Sequence, residues 1–217
     1  MTEIFAVWKP VGPTSNDVLN QIRKIAGTRH VGHAGTLDPL AEGVLVVGIG
    51  REATKKLKDA VGAEKEYIAD VYLGATSTTD DEEGTKKHSH ILENVRMSVI
   101  ENVIKEFVGK IQQTPPIYSA LKIKGRPAYK YARGGETLEM KPREVEIKSI
   151  EIIKYEWPHL ALKVITGPGV YIRALARDLG ERLGCGAYLS GLVRTRIGLF
   201  TKGKVITLQD LKNEFHR

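Results

Sequence analysis

The chain has 217 residues, 41% of them hydrophobic, with 33 Lys and Arg against 26 Asp and Glu and a single cysteine. That length can bury a real core, and one cysteine excludes both an intramolecular disulfide framework and a multi-cysteine zinc site. No apolar run approaches the roughly 20 residues that span a bilayer, and the N-terminus carries no basic and apolar export signal. The expectation is a cytoplasmic protein with no membrane partner.

In chain order, Ser15 is placed to cap a first helix, with Val18, Leu19, Ile22, Ile25 and Ala26 at helical spacing and Gly27 ending it. The segment 32–41 follows, with Gly32 and Gly35 permitting unusual backbone angles and Pro39 forbidding helix at Asp38. An acid in such a loop is ordinarily a turn residue, yet loops on a scaffold are also where chemistry sits. Residues 44–47 read as a buried strand, and residues 52–60 as a short helix. The stretch 48–53 fits G-x-G-x-x-A with Asp70 some 20 residues on, the pattern of a dinucleotide-binding turn. The segments beyond it do not alternate as βαβ units, so close packing of strand on helix is the better account of those glycines.

A strand is expected over 66–73, then a polar surface loop over 76–90 whose acidic run from Asp80 to Glu83 lacks calcium-loop alternation and reads as solvated. Met97, Ile100, Val103, Ile104 and Phe107 mark another helix, stopped by Gly109. Residues 112–142 sustain no period beyond a helical turn near 128–132, and an irregular insertion this long is usually functional or mobile. Strands over 145–153 and 160–165 pair as a hairpin near Trp157. A helix over 170–183 turns Ile172, Leu175, Ala176 and Leu179 inward, a strand follows over 188–193, and a last helix begins near Thr207. Cys185, among small residues, reads as buried filler. Strands outnumber helices without strict alternation, which argues for an α+β fold.

The formal net charge is +7, and it is clustered. Residues 122–143 hold seven basic side chains, Lys124 among them, against two acidic ones, and residues 173–204 again hold seven against two. With Tyr118, Tyr129 and Tyr131 interleaved, that clustering suits an RNA backbone and exposed bases.

Residues 32–41 (GHAGTLDPLA) closely match the catalytic motif of the bacterial tRNA pseudouridine synthases that modify uridine 55 of the T loop, the TruB family. Residues 9–15 (KPVGPTS), 65–67 (KEY), 113–122 (QTPPIYSALK), 169–173 (GVYIR) and 183–187 (LGCGA) resemble further family segments, in family order. The resemblance implies a pseudouridine-synthase fold, a mixed and mostly antiparallel central sheet flanked by helices with a catalytic cleft. It implies one catalytic domain over residues 1–217, with 112–142 an RNA-contacting loop. A C-terminal PUA domain is not expected, because the chain stops at Arg217.

The implied reaction breaks the N1–C1′ bond of a tRNA uridine, turns the uracil and joins C5 to C1′. It needs no cofactor and no metal, only an ionised carboxylate at the base–ribose junction. By resemblance that group is Asp38. It could attack C1′, add to C6 or remove the proton at C2′, and the residues do not choose among these routes. Arg173 is the implied partner, since a guanidinium beside a carboxylate keeps it charged and oriented. Tyr67 resembles the residue stacking on the flipped uracil, Tyr171 and Leu192 those walling the pocket, and His33 the one filling the gap that the extruded base leaves. Lys55 would meet a phosphate. The implied partner is the T-arm of tRNA, bound by a monomer without a protein partner. Two alternatives stay open: a non-catalytic RNA-binding or tRNA-folding module, and a synthase acting on another RNA.

Overall fold

A computed structural model describes residues 3–89, 94–123, 125–136 and 138–215, so His90, Lys124 and Thr137 of the two expected loops lie outside the described residues. The chain divides into two compact units, residues 1–68 with 192–217, and residues 69–191.

The first unit opens with strand β1 (Glu3–Lys9) and helix α1 (Ser15–Ala26). Thr14, not Ser15, caps α1: its side chain accepts from the Asp17 N–H while the Asp17 carboxylate accepts from the Thr14 N–H, a reciprocal capping box. Gly27 ends the helix in the left-handed conformation at φ 60°. Strands β2 (Val31–Ala34) and β3 (Ala41–Ile49) flank the Asp38 loop and pair antiparallel, while β1 pairs antiparallel with the other edge of β3. Helix α2 (Arg51–Gly62) leads into β4 (Lys65–Leu73).

The apolar run 44–47 is explained by cover on both faces. Phe5, Val7, Leu45 and Val47 pack with Val18, Leu19 and Ile22 of α1, while Ala6, Val44 and Val46 pack with Leu57 of α2. A Cβ on Gly48 would come within 3.1–3.3 Å of Ala53. The dinucleotide-like glycine pattern is thus a strand-on-helix packing device.

From Ala69 the chain builds the second unit. Residues 76–90, expected as a solvated loop, contain a hairpin of β5 (Ala75–Ser77) and β6 (Lys86–His88), and Asp81 at its turn is buried. Helix α3 (Met97–Glu106) precedes β7 (Gly109–Gln113), which takes the first residues of the expected irregular stretch into the sheet. The rest of that stretch holds a two-residue ladder, β8 (Lys122–Ile123) with β9 (Arg126–Pro127), and helix α4 (Ala128–Arg133). Strand β10 (Arg143–Glu156) pairs antiparallel with β7 and with β11 (His159–Thr166), and helix α5 (Ile172–Leu183) follows.

Strand β12 (Ala187–Ile197) carries the chain back into the first unit, where it pairs parallel to β3 with Leu192 opposite Ala41 and Arg194 opposite Gly43. The chain closes with β13 (Phe200–Thr201), β14 (Val205–Ile206) beside β1, and α6 (Leu208–Phe215), whose Leu211 joins the α1 core. Within the first unit the strand order is β14-β1-β3-β12-β4, and within the second β12-β4-β11-β10-β7. The α+β class and the mixed, mostly antiparallel sheet agree with the sequence reading. Among the described residues no helix is long and apolar enough to cross a membrane.

Candidate active site

Asp38 sits half-buried in the loop between β2 and β3, and that loop is held by its backbone. Five consecutive carbonyls, from residue 35 to residue 39, each accept a hydrogen bond. Arg194 donates to Gly35 at 3.0 Å and to Thr36 at 3.4 Å. The Ser15 hydroxyl donates to the Leu37 carbonyl and accepts from the Leu37 N–H, both at 2.9 Å. The Ala41 N–H closes on Asp38 at 3.1 Å, and the Gly12 N–H reaches Pro39 at 2.9 Å. Lys9, fully buried, adds Pro39 at 3.5 Å and Ala41 at 2.6 Å. A loop so tied loses little further entropy when it meets a substrate, and its carboxylate is presented by the scaffold instead of being sought by motion.

Two strands supply the neighbours. Tyr67 on β4 is buried and lies close enough to Arg194 to act on its charge. Arg194 on β12 is only 1% exposed. Burial pulls its pKa down from the ordinary arginine value, and the Tyr67 hydroxyl and the Asp38 carboxylate push it back up. Gly43, opposite Arg194, has φ 126°, and a Cβ there would overlap the Arg194 backbone. Only glycine lets β3 and β12 approach so closely at this point.

Lys65, one turn of the pleat from Tyr67, donates to the carbonyls of Val61 and Ala63 at 2.8 Å each. Burial and the nearby Arg194 lower its pKa to about 8. His33 on β2 has its pKa lowered by burial and by the nearby Arg194. Leu192 is partly exposed on β12. Lys55 lies on the outer face of α2, 3.0 Å from Glu52 and largely in solvent. The first unit therefore brings together Asp38, Tyr67 and the unforeseen Arg194, while Lys55 stands apart on the helix surface.

In the second unit Arg173, near the start of α5, is buried and donates to Asp81 Oδ2 at 3.2 Å, to the Thr79 carbonyl at 3.2 Å and to the Tyr118 carbonyl at 2.8 Å. Asp81 also accepts from the Thr79 hydroxyl and the Glu83 N–H. The acidic run read as solvated thus contributes a buried counter-charge, because a guanidinium taken out of water needs one. Asp80 beside it pairs with Arg177 at 2.9 Å, and burial outweighs that cation to raise the Asp80 pKa. Tyr171 is fixed through its backbone: buried Gln113 accepts from its N–H at 2.9 Å and donates to its carbonyl at 3.2 Å, while the Arg143 guanidinium lies 5.1 Å over its ring.

The sequence reading missed Arg194, Lys65, Asp81 and Gln113, and took Ser15 for a cap. Arg173 and Arg194 had also been counted among cations facing RNA, whereas both are buried. The signal in the sequence was slight, because Arg194 shares its strand with Arg196 and the pairing with β3 is what tells the two apart.

A loop-borne carboxylate near a buried tyrosine and arginine sits on a mixed sheet flanked by helices, the fold class of the pseudouridylate synthases. Residues 23–172 match the model of the TruB family pseudouridylate synthase N-terminal domain, and residues 173–217 that of the tRNA pseudouridylate synthase B C-terminal domain. The chain is 42% identical over 220 residues to tRNA pseudouridine synthase B of Thermobifida fusca, covering 98% of this chain and 75% of that protein. To the protein of the same name from Xanthomonas oryzae it is 43% identical over 203 residues, covering 94% and 66%.

Among solved structures, a Cbf5-Nop10-Gar1 complex matches with a TM-score of 0.76 at 33% identity, over 98% of this chain and 54% of that one. An H/ACA RNP bound to a substrate RNA containing 2′-deoxyuridine matches with a TM-score of 0.72 at 30% identity, over 98% and 53%. The chain belongs to the TruB family of pseudouridylate synthases. It spans two thirds to three quarters of these two curated relatives and about half of the solved chains.

Proposed function

We propose that the chain isomerises uridine to pseudouridine in the T loop of tRNA, at position 55, with Asp38 as the reacting carboxylate and no cofactor. The observation that carries this is the Asp38 loop, whose five consecutive bonded carbonyls leave a half-buried carboxylate on a fixed backbone. Arg173 is the cationic partner in catalysis, Tyr67 stacks on the flipped uracil, Tyr171 and Leu192 wall the pocket, His33 fills the vacated stack, and Lys55 meets a phosphate. Names of close relatives, tRNA pseudouridine synthase B, support tRNA as the substrate. The reaction proceeds in the cytoplasm on a monomer that requires no protein partner. A pure RNA-binding role is not favoured, because such a module has no use for a carboxylate fixed this firmly.

The test is release of tritium from a tRNA transcript labelled at C5 of uridine. Wild-type chain is expected to release label from the T loop, whereas Asp38→Asn binds the transcript and releases none. Release by Asp38→Asn at the wild-type rate would remove Asp38 from the reaction. Binding without release by the wild type would return the chain to the RNA-binding reading.

A further inference from the structure

Arg194 has no role among those assigned above, yet it touches both sides of the Asp38 loop. We propose that Arg194 is a positioning residue for the reaction, holding the Asp38 loop and the Tyr67 hydroxyl in the geometry the uridine meets. The proposal rests on the reading of Asp38 as the reacting carboxylate.

The argument is geometric. The Arg194 fork donates from Nη2 to Gly35 at 3.0 Å and from Nη1 to Thr36 at 3.4 Å, on the chain entering the loop. Its Nε donates to Val44 at 2.9 Å, on the chain leaving it. One planar group thus ties the two ends of the Asp38 segment together, which a lysine, a single point charge on a flexible stem, cannot reproduce. The root of the side chain is fixed as well, because the Arg194 backbone packs directly on Gly43 in the β3–β12 pairing.

Carbonyl dipoles alone are poor company for a fully buried cation. Tyr67 and the Asp38 carboxylate stand near enough to Arg194 to favour its charged form, beside the three carbonyls it donates to. The same interactions act in reverse, orienting the two groups proposed to touch the substrate. A fixed donor array aimed at a reacting group costs no reorganisation during the reaction.

The experiment compares wild type, Asp38→Asn, Arg194→Lys and Arg194→Met in the tritium-release assay, with rates normalised to the folded fraction from circular dichroism. Arg194→Met is expected to bind tRNA within about threefold of wild type while kcat falls about 10²-fold, the loss that a small misplacement of reacting groups produces. Arg194→Lys, keeping the charge without the fork, is expected between the two.

If Arg194→Met destabilises the fold too far to assay, Tyr67→Phe reads the same contact from its other end. Arg194→Lys combined with Tyr67→Phe should then lose less than the product of the two single losses, because both cut one interaction. Strictly multiplicative losses, or an Arg194→Met variant with wild-type kcat per folded molecule, would overturn the proposal while an inert Asp38→Asn left the reading of Asp38 standing. An active Asp38→Asn would overturn both.

Discussion

Among the described residues each unit buries one arginine against backbone carbonyls, and the two are completed in different ways. Arg173 in the second unit meets Asp81, whose side chain is 2% exposed and whose remaining capacity is taken by the Thr79 hydroxyl and the Glu83 N–H. Arg194 in the first unit spends its fork on two carbonyls of the loop that carries Asp38 and on the Val44 carbonyl of β3, and Asp38 itself stays half-buried. One acid is enclosed as a structural counter-charge. The other is presented by a backbone that the arginine immobilises. Proximity of an acid to a buried guanidinium is therefore not a mark of catalysis; what distinguishes the two is where the arginine's hydrogen bonds go.

The largest effects should separate the two acids by what they damage. Asp81→Ala leaves the Arg173 guanidinium buried without that counter-charge, and breaking a buried pair costs about 3–5 kcal/mol. Urea denaturation should register that loss. Asp38→Asn should cost less in the same measurement, because Asp38 is half-buried and Arg194 keeps its three carbonyls, while abolishing turnover. Equal destabilisation by the two changes would break the comparison and make Asp38 a structural acid as well.

A second difference lies in the cations around the Asp38 loop. Lys65 is held at a pKa of about 8 by burial and by Arg194, against about 10.4 in an unfolded chain. Between those values the unfolded chain binds more protons than the folded one, so stability rises with pH across that window. Below pH 8 both states hold the proton and the penalty of the buried charge is fully present. Lys65→Met should flatten the slope of unfolding free energy between pH 8 and 10 relative to wild type. An unchanged slope would mean that Lys65 is as well solvated folded as unfolded.

What the sequence disclosed follows the range of the interactions concerned. The strand at 44–47 and the α1 apolar positions were legible because their periodicity is local, and Asp38 stood out by its resemblance to a family motif. Thr14 and Ser15 are adjacent hydroxyls, and the choice of cap turns on Asp17 three residues after Thr14 and on Leu37, which occupies Ser15 from 22 residues away. Arg194 and Arg196 look alike in a composition window. Arg196 finds Glu64 at 2.6 Å near the surface, whereas Arg194 is buried by a parallel pairing with a strand about 150 residues earlier. Asp81 was hidden in the same way, inside a polar run whose partner lies 92 residues on.

Burial also sorts the positive charge that the sequence could only count. Arg173 and Arg194 are buried, so neither is exposed to neutralise a phosphate, whereas Lys55 stands largely in solvent beside Glu52. Each lysine that neutralises a phosphate contributes about one unit to the slope of log affinity against log salt. Lys55→Ala should therefore reduce that slope for tRNA by about 1 while leaving kcat at saturating tRNA unchanged. Arg194→Lys should do the reverse, keeping the slope and losing turnover. A Lys55→Ala slope equal to wild type would take Lys55 off the RNA interface. A lowered slope for Arg194→Lys would mean that the buried arginine answers to RNA after all, and the division between holding and binding cations would fall.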